Sequence, residues 1–244
     1  MKRVLKWVFV GLAAVSSSSI ALAEDVAPKH LELAREFLAN TKPENNEHYA
    51  QGVRSLLRPS DKGSNGEYIV KTDCIGFIES LLKMAYGKDM PKPQTKKFER
   101  RYSIIDYVDS VGAGQLYTKL TRIDELRPGD VVMWKYADGY TRKVQANGHA
   151  LMLDGAPKRV SNKFFSKSWS LTQYQVKIID SSDFPKSDDD TRLKVGPKQT
   201  GVGSGTFNLY ADDDGVVKAV SFDFAKSDLK YQDRDYIIVM ARPI

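Results

Sequence analysis

The chain has one cysteine, Cys74, in 244 residues. One cysteine excludes an intramolecular disulfide and any zinc site built on cysteine pairs. Histidine is nearly as scarce. His30, His48 and His149 are scattered and show no metal-ligand spacing, so neither a metal nor a cofactor is expected. The acidic triplets Asp188–Asp190 and Asp212–Asp214 lack the spacing of an EF-hand loop and read as solvated turns. Lysine and arginine form no dense stripe interleaved with aromatics, which argues against nucleic acid as a partner. Long apolar runs are missing after the first 23 residues. Internal repeats are absent too.

What is present begins with a leader. Lys2, Arg3 and Lys6 make a positive start, Trp7 to Val15 a short apolar run, and Ala21-Leu22-Ala23 an A-x-A cleavage site. Residues 1–23 therefore read as a signal peptide. Residues 24–244 read as a single exported domain, periplasmic or secreted to the cell wall. Without the leader the formal charge falls from +6 to +3. A mildly basic surface suits the neighbourhood of anionic wall polymer. No stable membrane insertion is expected after cleavage, and the protein should be a monomer. In an oxidising compartment, a cysteine kept without a mate points to a reactive thiol or an intermolecular bridge.

The surroundings of that cysteine carry the most information. Ile75, Ile78, Leu81, Leu82 and Ala85 recur at helical spacing after it, and Thr72 or Asp73 can serve as N-cap. Cys74 then lies in the first helical turn, where unpaired backbone N–H groups and the helix dipole favour a thiolate. Such a thiol titrates below its free value of about 8.5. Set against this, an isolated cysteine among apolar neighbours is commonly an inert small hydrophobe.

The rest of the chain divides into a helical first half and a stranded second half. Residues 28–42 read as an amphipathic helix and 43–55 as a second short helix with Tyr49 and Val53 inward. The Cys74 helix ends at Gly87, and 96–111 is helix or loop. After a turn at 126–130, strands are expected at 131–134, 149–153, 175–180, 205–210, 216–220 and 236–241, with a hairpin around Asp212-Asp213-Asp214-Gly215. That order predicts an α+β fold, N-terminal helices packed on an antiparallel β-sheet. Of the histidines, only His149 opens an apolar strand. A cysteine nucleophile needs a base within reach, and the base needs a third group to orient it. Asp180, at the end of the 175–180 strand, lies beside His149 if the two strands pair.

Three segments resemble one family. Asp73-Cys74-x-Gly76-Phe77, Leu126-x-Pro128-Gly129-Asp130-Val131-Val132 and Gly148-His149-Ala150-Leu151-Met152-Leu153 are similar, in order, to the conserved segments of the NlpC/P60 cell-wall cysteine peptidases. The resemblance spans residues 68–182. It implies a papain-like fold, Cys74 as nucleophile, His149 as general base and a third polar residue on the following strand. That third residue is Asp180, with Asn162 as rival. An upstream tyrosine near the oxyanion site would be Tyr68 or Tyr49. Asp73, Tyr68 and Arg192 are the candidates for oxyanion or substrate contacts. Arg192 either grips a substrate carboxylate bidentately, with the glycine run 201–205 rimming a cleft, or lies in a solvated loop. Ile75 in place of a small serine, and Ala150-Leu151 in place of Val-Gly, change the pocket more than the chemistry. The implied activity is endopeptidase cleavage of an amide bond in peptidoglycan stem peptides. An N-acetylmuramoyl-L-alanine amidase and a catalytically silent wall-binding domain are the alternatives.

Overall fold

The computed structural model describes residues 26–48, 56–58, 67–87, 104–112, 114, 117–137, 148–165, 170–194, 200–222, 231–232 and 235–243. In chain order these form α1 (Lys29–Asn40), β1 (Thr41–His48), β2 (Leu56–Arg58), β3 (Tyr68–Thr72), α2 (Cys74–Tyr86), α3 (Ile104–Gly112) and β4 (Tyr117–Leu120). There follow β5 (Val131–Tyr136), β6 (Gly148–Leu153), β7 (Lys158–Phe165), β8 (Ser170–Ser182), β9 (Gly201–Ala211), β10 (Val217–Phe222), β11 (Tyr231–Gln232) and β12 (Tyr236–Pro243). Single 3₁₀ turns lie at Ile123–Glu125 and Thr191–Lys194. The expected leader, residues 1–23, and Tyr49 lie outside the described residues.

The expectation of N-terminal helices packed on a sheet in a papain-like fold is corrected by this arrangement. The molecule is β-rich, and strands start directly after α1. Residues 43–48, read as helix, are extended in β1, which pairs in parallel with β3. Residues 158–165 and 170–174, between the expected strands, belong to β7 and β8, and the glycine run 201–205, read as a cleft rim or a solvated loop, belongs to β9. A nine-stranded sheet runs β11-β10-β9-β8-β6-β5-β12-β4, with β7 added beside the first half of β8. Its pairings are antiparallel throughout.

The main core lies between strands. Val132, Trp134, Leu151, Leu153, Ile178, Phe207, Leu209, Val220 and Met240 meet in one cluster that contains no residue of α1, α2 or α3. Side chains of β5, β6, β8, β9, β10 and β12 reach each other because one face of the sheet folds onto itself, as its twist allows. The alternate residues of β5 and β6, Val131, Met133, Ala150 and Met152, face the other way and take the helices. Burial on both faces explains why these strands read as continuous apolar runs.

The helix that carries Cys74 is set by local chemistry and by packing. The Asp73 carboxylate accepts the Gly76 N–H at 2.7 Å as N-cap. At the other end Gly87, at φ +66°, donates its N–H to Lys83 O at 2.8 Å. Between the caps Ile75, Phe77, Ile78, Leu81 and Leu82 are buried. Each such side chain contributes roughly 1.5–3 kcal/mol when fully covered. Phe77 and Leu81 pack with Met152 and Ile179, while Ile75 and Ile78 pack with Met133 and Ala150. The first turn of α2 is thereby held against the start of β6.

Candidate active site

β6 opens at Gly148, where an added Cβ would lie 1.9 Å from the Trp134 carbonyl oxygen on β5. Only glycine permits that approach. The next residue, His149, is opposite Trp134 in the ladder, its ring 5.4 Å from the indole. Pairing of Met152 with Ile179 sets β6 against the C-terminal half of β8. This register brings His149 Nε2 to 2.6 Å from Asp180 Oδ2. The other ring nitrogen, Nδ1, has no hydrogen bond to a described residue.

Asp180 is fully covered and held from behind. Arg192 donates Nη2 to Asp180 Oδ1 and, at 2.7 Å, to the Asp180 carbonyl. Its Nη1 reaches Asp190 Oδ2 at 2.7 Å and its Nε reaches Gly201 O at 3.0 Å. Arg192 is 0% exposed. Burial works against the charged Asp180 carboxylate, but Arg192 and His149 outweigh it and hold its pKa well below the usual range. Gly203, opposite Asp180 on β9, makes room, since a Cβ there would come within 2.5 Å of the guanidinium. Fully buried, and with four of its five N–H groups engaged, Arg192 is closed off from a substrate carboxylate. The expected clamp over a cleft, and the alternative of a solvated loop, are both corrected. The glycine run is a buried strand segment that accommodates this arginine.

Cys74 is half-buried at the N-terminus of α2. Backbone N–H groups of Ala150 and Ile75 interact with its sulfur and favour the thiolate. Burial opposes them, the Asp73 and Asp180 carboxylates add to it, and the thiol is pushed up to about 12. The expected low thiol pKa is thus corrected: desolvation and two nearby carboxylates outweigh the helix start. His149 is shifted down by burial and by the Lys186 charge, against the pull of Asp180. At neutral pH the site holds a neutral thiol, a neutral imidazole and an ionised carboxylate.

The remaining candidates fall elsewhere. Tyr68 donates its hydroxyl to Glu36 on α1 and packs edge-on to Phe37. It sits at the far end of β3, about 13 Å of strand from Thr72. Asp73 is spent on the helix cap, and its charge opposes the Cys74 thiolate. Asn162 lies on β7, which pairs with residues 170–175 of β8, well away from Asp180 along the strand. The Asn162 side chain, like Tyr49, lies outside the described residues.

Two residues that sequence reasoning passed over also belong here. His48 ends β1 opposite Thr72, with Nδ1 3.4 Å from Ser181 Oγ and its N–H on Thr200 Oγ1 at 3.0 Å. Burial lowers its pKa, against the field of Asp183, Asp73 and Asp180. Lys186 is 2% exposed. Its Nζ is 3.5 Å from the Phe184 ring centre and 4.2 Å from that of Phe222. His48 gives no signal in a stretch as polar as Asn45-Asn46-Glu47. Lys186 gives a faint one, the preceding Phe184-Pro185. A cavity of about 230 Å³ lined by Pro28, His30, Tyr86, Gly129 and Arg242 lies apart, and none of the residues around Cys74 lines it. Among the described residues no group of three or more His, Cys, Asp or Glu could hold a metal ion. No described helix is long and apolar enough to cross a membrane.

Comparison with known proteins places little beside this geometry. No family model matches the chain, and no solved structure matches it. An uncharacterized protein of Acanthamoeba polyphaga mimivirus is 25% identical over 220 residues, covering 88% of this chain and 96% of that protein.

Proposed function

We propose that the protein is an exported cysteine hydrolase that cleaves an amide bond in peptidoglycan stem peptides. The observation that carries this reading is the 2.6 Å contact of His149 Nε2 with the Asp180 carboxylate, beside Ala150, whose backbone N–H interacts with the Cys74 sulfur at the helix start. Asp180 fixes the tautomer with the proton on Nε2, leaving Nδ1 as the basic nitrogen. As Sγ attacks the amide carbonyl carbon, Nδ1 takes the thiol proton and the carbonyl oxygen becomes an oxyanion. Backbone N–H groups at the α2 start are suited to stabilise that charge. The C–N bond then breaks, and the leaving amine takes the proton from His149. Water repeats the sequence on the thioester, releasing the acid and restoring the thiol. With a resting pair that is neutral, proton transfer accompanies attack and does not precede it.

The wall substrate rests on the three segments similar to NlpC/P60 peptidases and on the leader. The raised Cys74 pKa favours a second reading, a silent domain that binds wall peptides. Digestion of purified peptidoglycan followed by mass spectrometry separates the two. Wild type should release cleaved stem peptides, and Cys74→Ala and His149→Ala should release none. The position of the new termini distinguishes an endopeptidase from an N-acetylmuramoyl-L-alanine amidase. Binding without products in all three proteins would establish the silent domain.

A further inference from the structure

Four cationic or imidazole groups crowd the polar centre, and they differ in how their charge is used. Arg192 is matched by the carboxylates of Asp180 and Asp190. His149 is bonded to Asp180, and His48 leans on Ser181. Lys186 stands apart. Among the described residues its Nζ makes no ion pair and no hydrogen bond. Two phenylalanine faces hold it, one from its own loop and one from β10. An aromatic cage of this kind retains an ammonium without neutralising it. The backbone N–H of Lys186 is fixed on Asp190 Oδ2 at 2.7 Å, the carboxylate that also binds Arg192. The lysine is therefore anchored to the same scaffold that holds Asp180.

We infer that Lys186 is a positioning charge of the site: its uncommitted ammonium is caged by Phe184 and by Phe222, whose ring lies 6.3 Å from the Trp134 ring that packs on His149, and it sets the charge balance around His149 and Cys74. The groups facing it are Asp180 on β8, Asp183 on the following loop, Arg192 on the 3₁₀ turn, Cys74 on α2, His149 on β6 and His48 on β1. Asp180 and Asp183 hold the ammonium charged; Arg192 and burial oppose them, and the lysine titrates at about 8. The field works in both directions. Lys186 lowers the pKa of both histidines, and the Cys74 thiolate favours protonated Lys186. Since Asp73 and Asp180 oppose the thiolate, this uncommitted cation compensates for them as the sulfur becomes charged.

The inference rests on the hydrolase reading for its catalytic consequence only, so its test does not use hydrolysis. The full-length mature chain, labelled with ¹⁵N-histidine, is titrated as wild type, Lys186→Met and Lys186→Arg, with His149→Gln to assign the signal. The His149 midpoint should rise by about half a unit or more in Lys186→Met and return to the wild-type value in Lys186→Arg. Alkylation of Cys74 by iodoacetamide at neutral pH should slow several-fold in Lys186→Met and recover in Lys186→Arg. A folded Lys186→Met with an unchanged His149 midpoint overturns the inference. If Lys186→Met does not fold, wild type supplies the same test. Its His149 shifts should then show a second inflection near pH 8, as Lys186 loses its proton, and a flat trace there overturns the inference.

Discussion

Two regions of the central sheet solve different problems. Over much of the inner face Val132, Trp134, Leu151, Ile178, Phe207 and Leu209 close on one another with no ionisable group among them. At one end of the sheet, where β6 and β8 approach β1 and the start of α2, buried polar residues accumulate: Asp73, Asp180, Ser181, Lys186, Asp190 and Arg192. The first region stabilises by area. The second spends stability on holding charges in place, because buried ion pairs roughly break even with apolar packing while a broken pair costs about 3–5 kcal/mol. A region that is expensive to build and poor in net stability is where chemistry is expected.

The strongest way to break this comparison is to remove the arginine. Arg192→Ala leaves Asp180 and Asp190 buried without their cation. It should lower stability by about 3–5 kcal/mol, measured by urea denaturation at neutral pH. The penalty should shrink in acid. Asp180 has a folded pKa below its unfolded value of about 3.9, so its stabilisation is present above that value and is lost as pH falls through it. In the apolar region, Leu151→Ala should cost about 2–5 kcal/mol by cavity formation, with no such pH dependence. Equal acid sensitivity in the two variants would erase the distinction between the regions.

Lys186→Met should move the other way. The lysine pKa is depressed in the fold, so the unfolded chain binds more protons between about 8 and 10.4, and wild-type stability rises with pH across that window. Replacement by methionine should raise the melting temperature at neutral pH, by up to about 3 kcal/mol of stability, and flatten that alkaline rise. A lower melting temperature would mean that the cage prefers the charge. Next in size is Asp180→Asn, which should reduce turnover on muropeptides by orders of magnitude yet leave more activity than Cys74→Ala, as expected of an orienting group. The smallest effect belongs to Tyr68→Phe. With its hydroxyl on Glu36 at the surface, its loss should leave kcat/KM unchanged. A marked fall would restore Tyr68 to the oxyanion site.

How much of this was legible depended on whether the cause was local. The Cys74 helix could be read to its ends because Asp73 and Gly87 are local caps. The β9–β10 hairpin could be read because Asp212 to Gly215 is a turn in its own right. β1 could not be read. Thr41 to His48 is polar and contains Pro43 and two asparagines, and it is extended because β3 pairs with it from 24 to 27 residues away. Mistaking it for a helix hid His48 and contributed to the wrong architecture. Gly201 to Gly205 looked like a loop because its glycines make room for Arg192 and Ser187, which lie elsewhere in the chain. Position within the chain identified Asp180 as a partner for His149, but nothing local shows that Arg192 stands behind it. The thiol pKa failed for a related reason. Helix start is a local property, whereas desolvation and the field of Asp180 are tertiary.

The central claim is that Cys74, with His149 as base, forms a covalent bond to an acyl group. Intact-protein mass spectrometry of acid-quenched mixtures of the protein and muropeptides tests it most directly. The account predicts an added acyl mass that maps to Cys74, builds up within the first turnover, decays as products appear, and is absent in His149→Ala. Products that form equally well with Cys74→Ala, or a Cys74 that stays unmodified while muropeptides are cleaved, would contradict it.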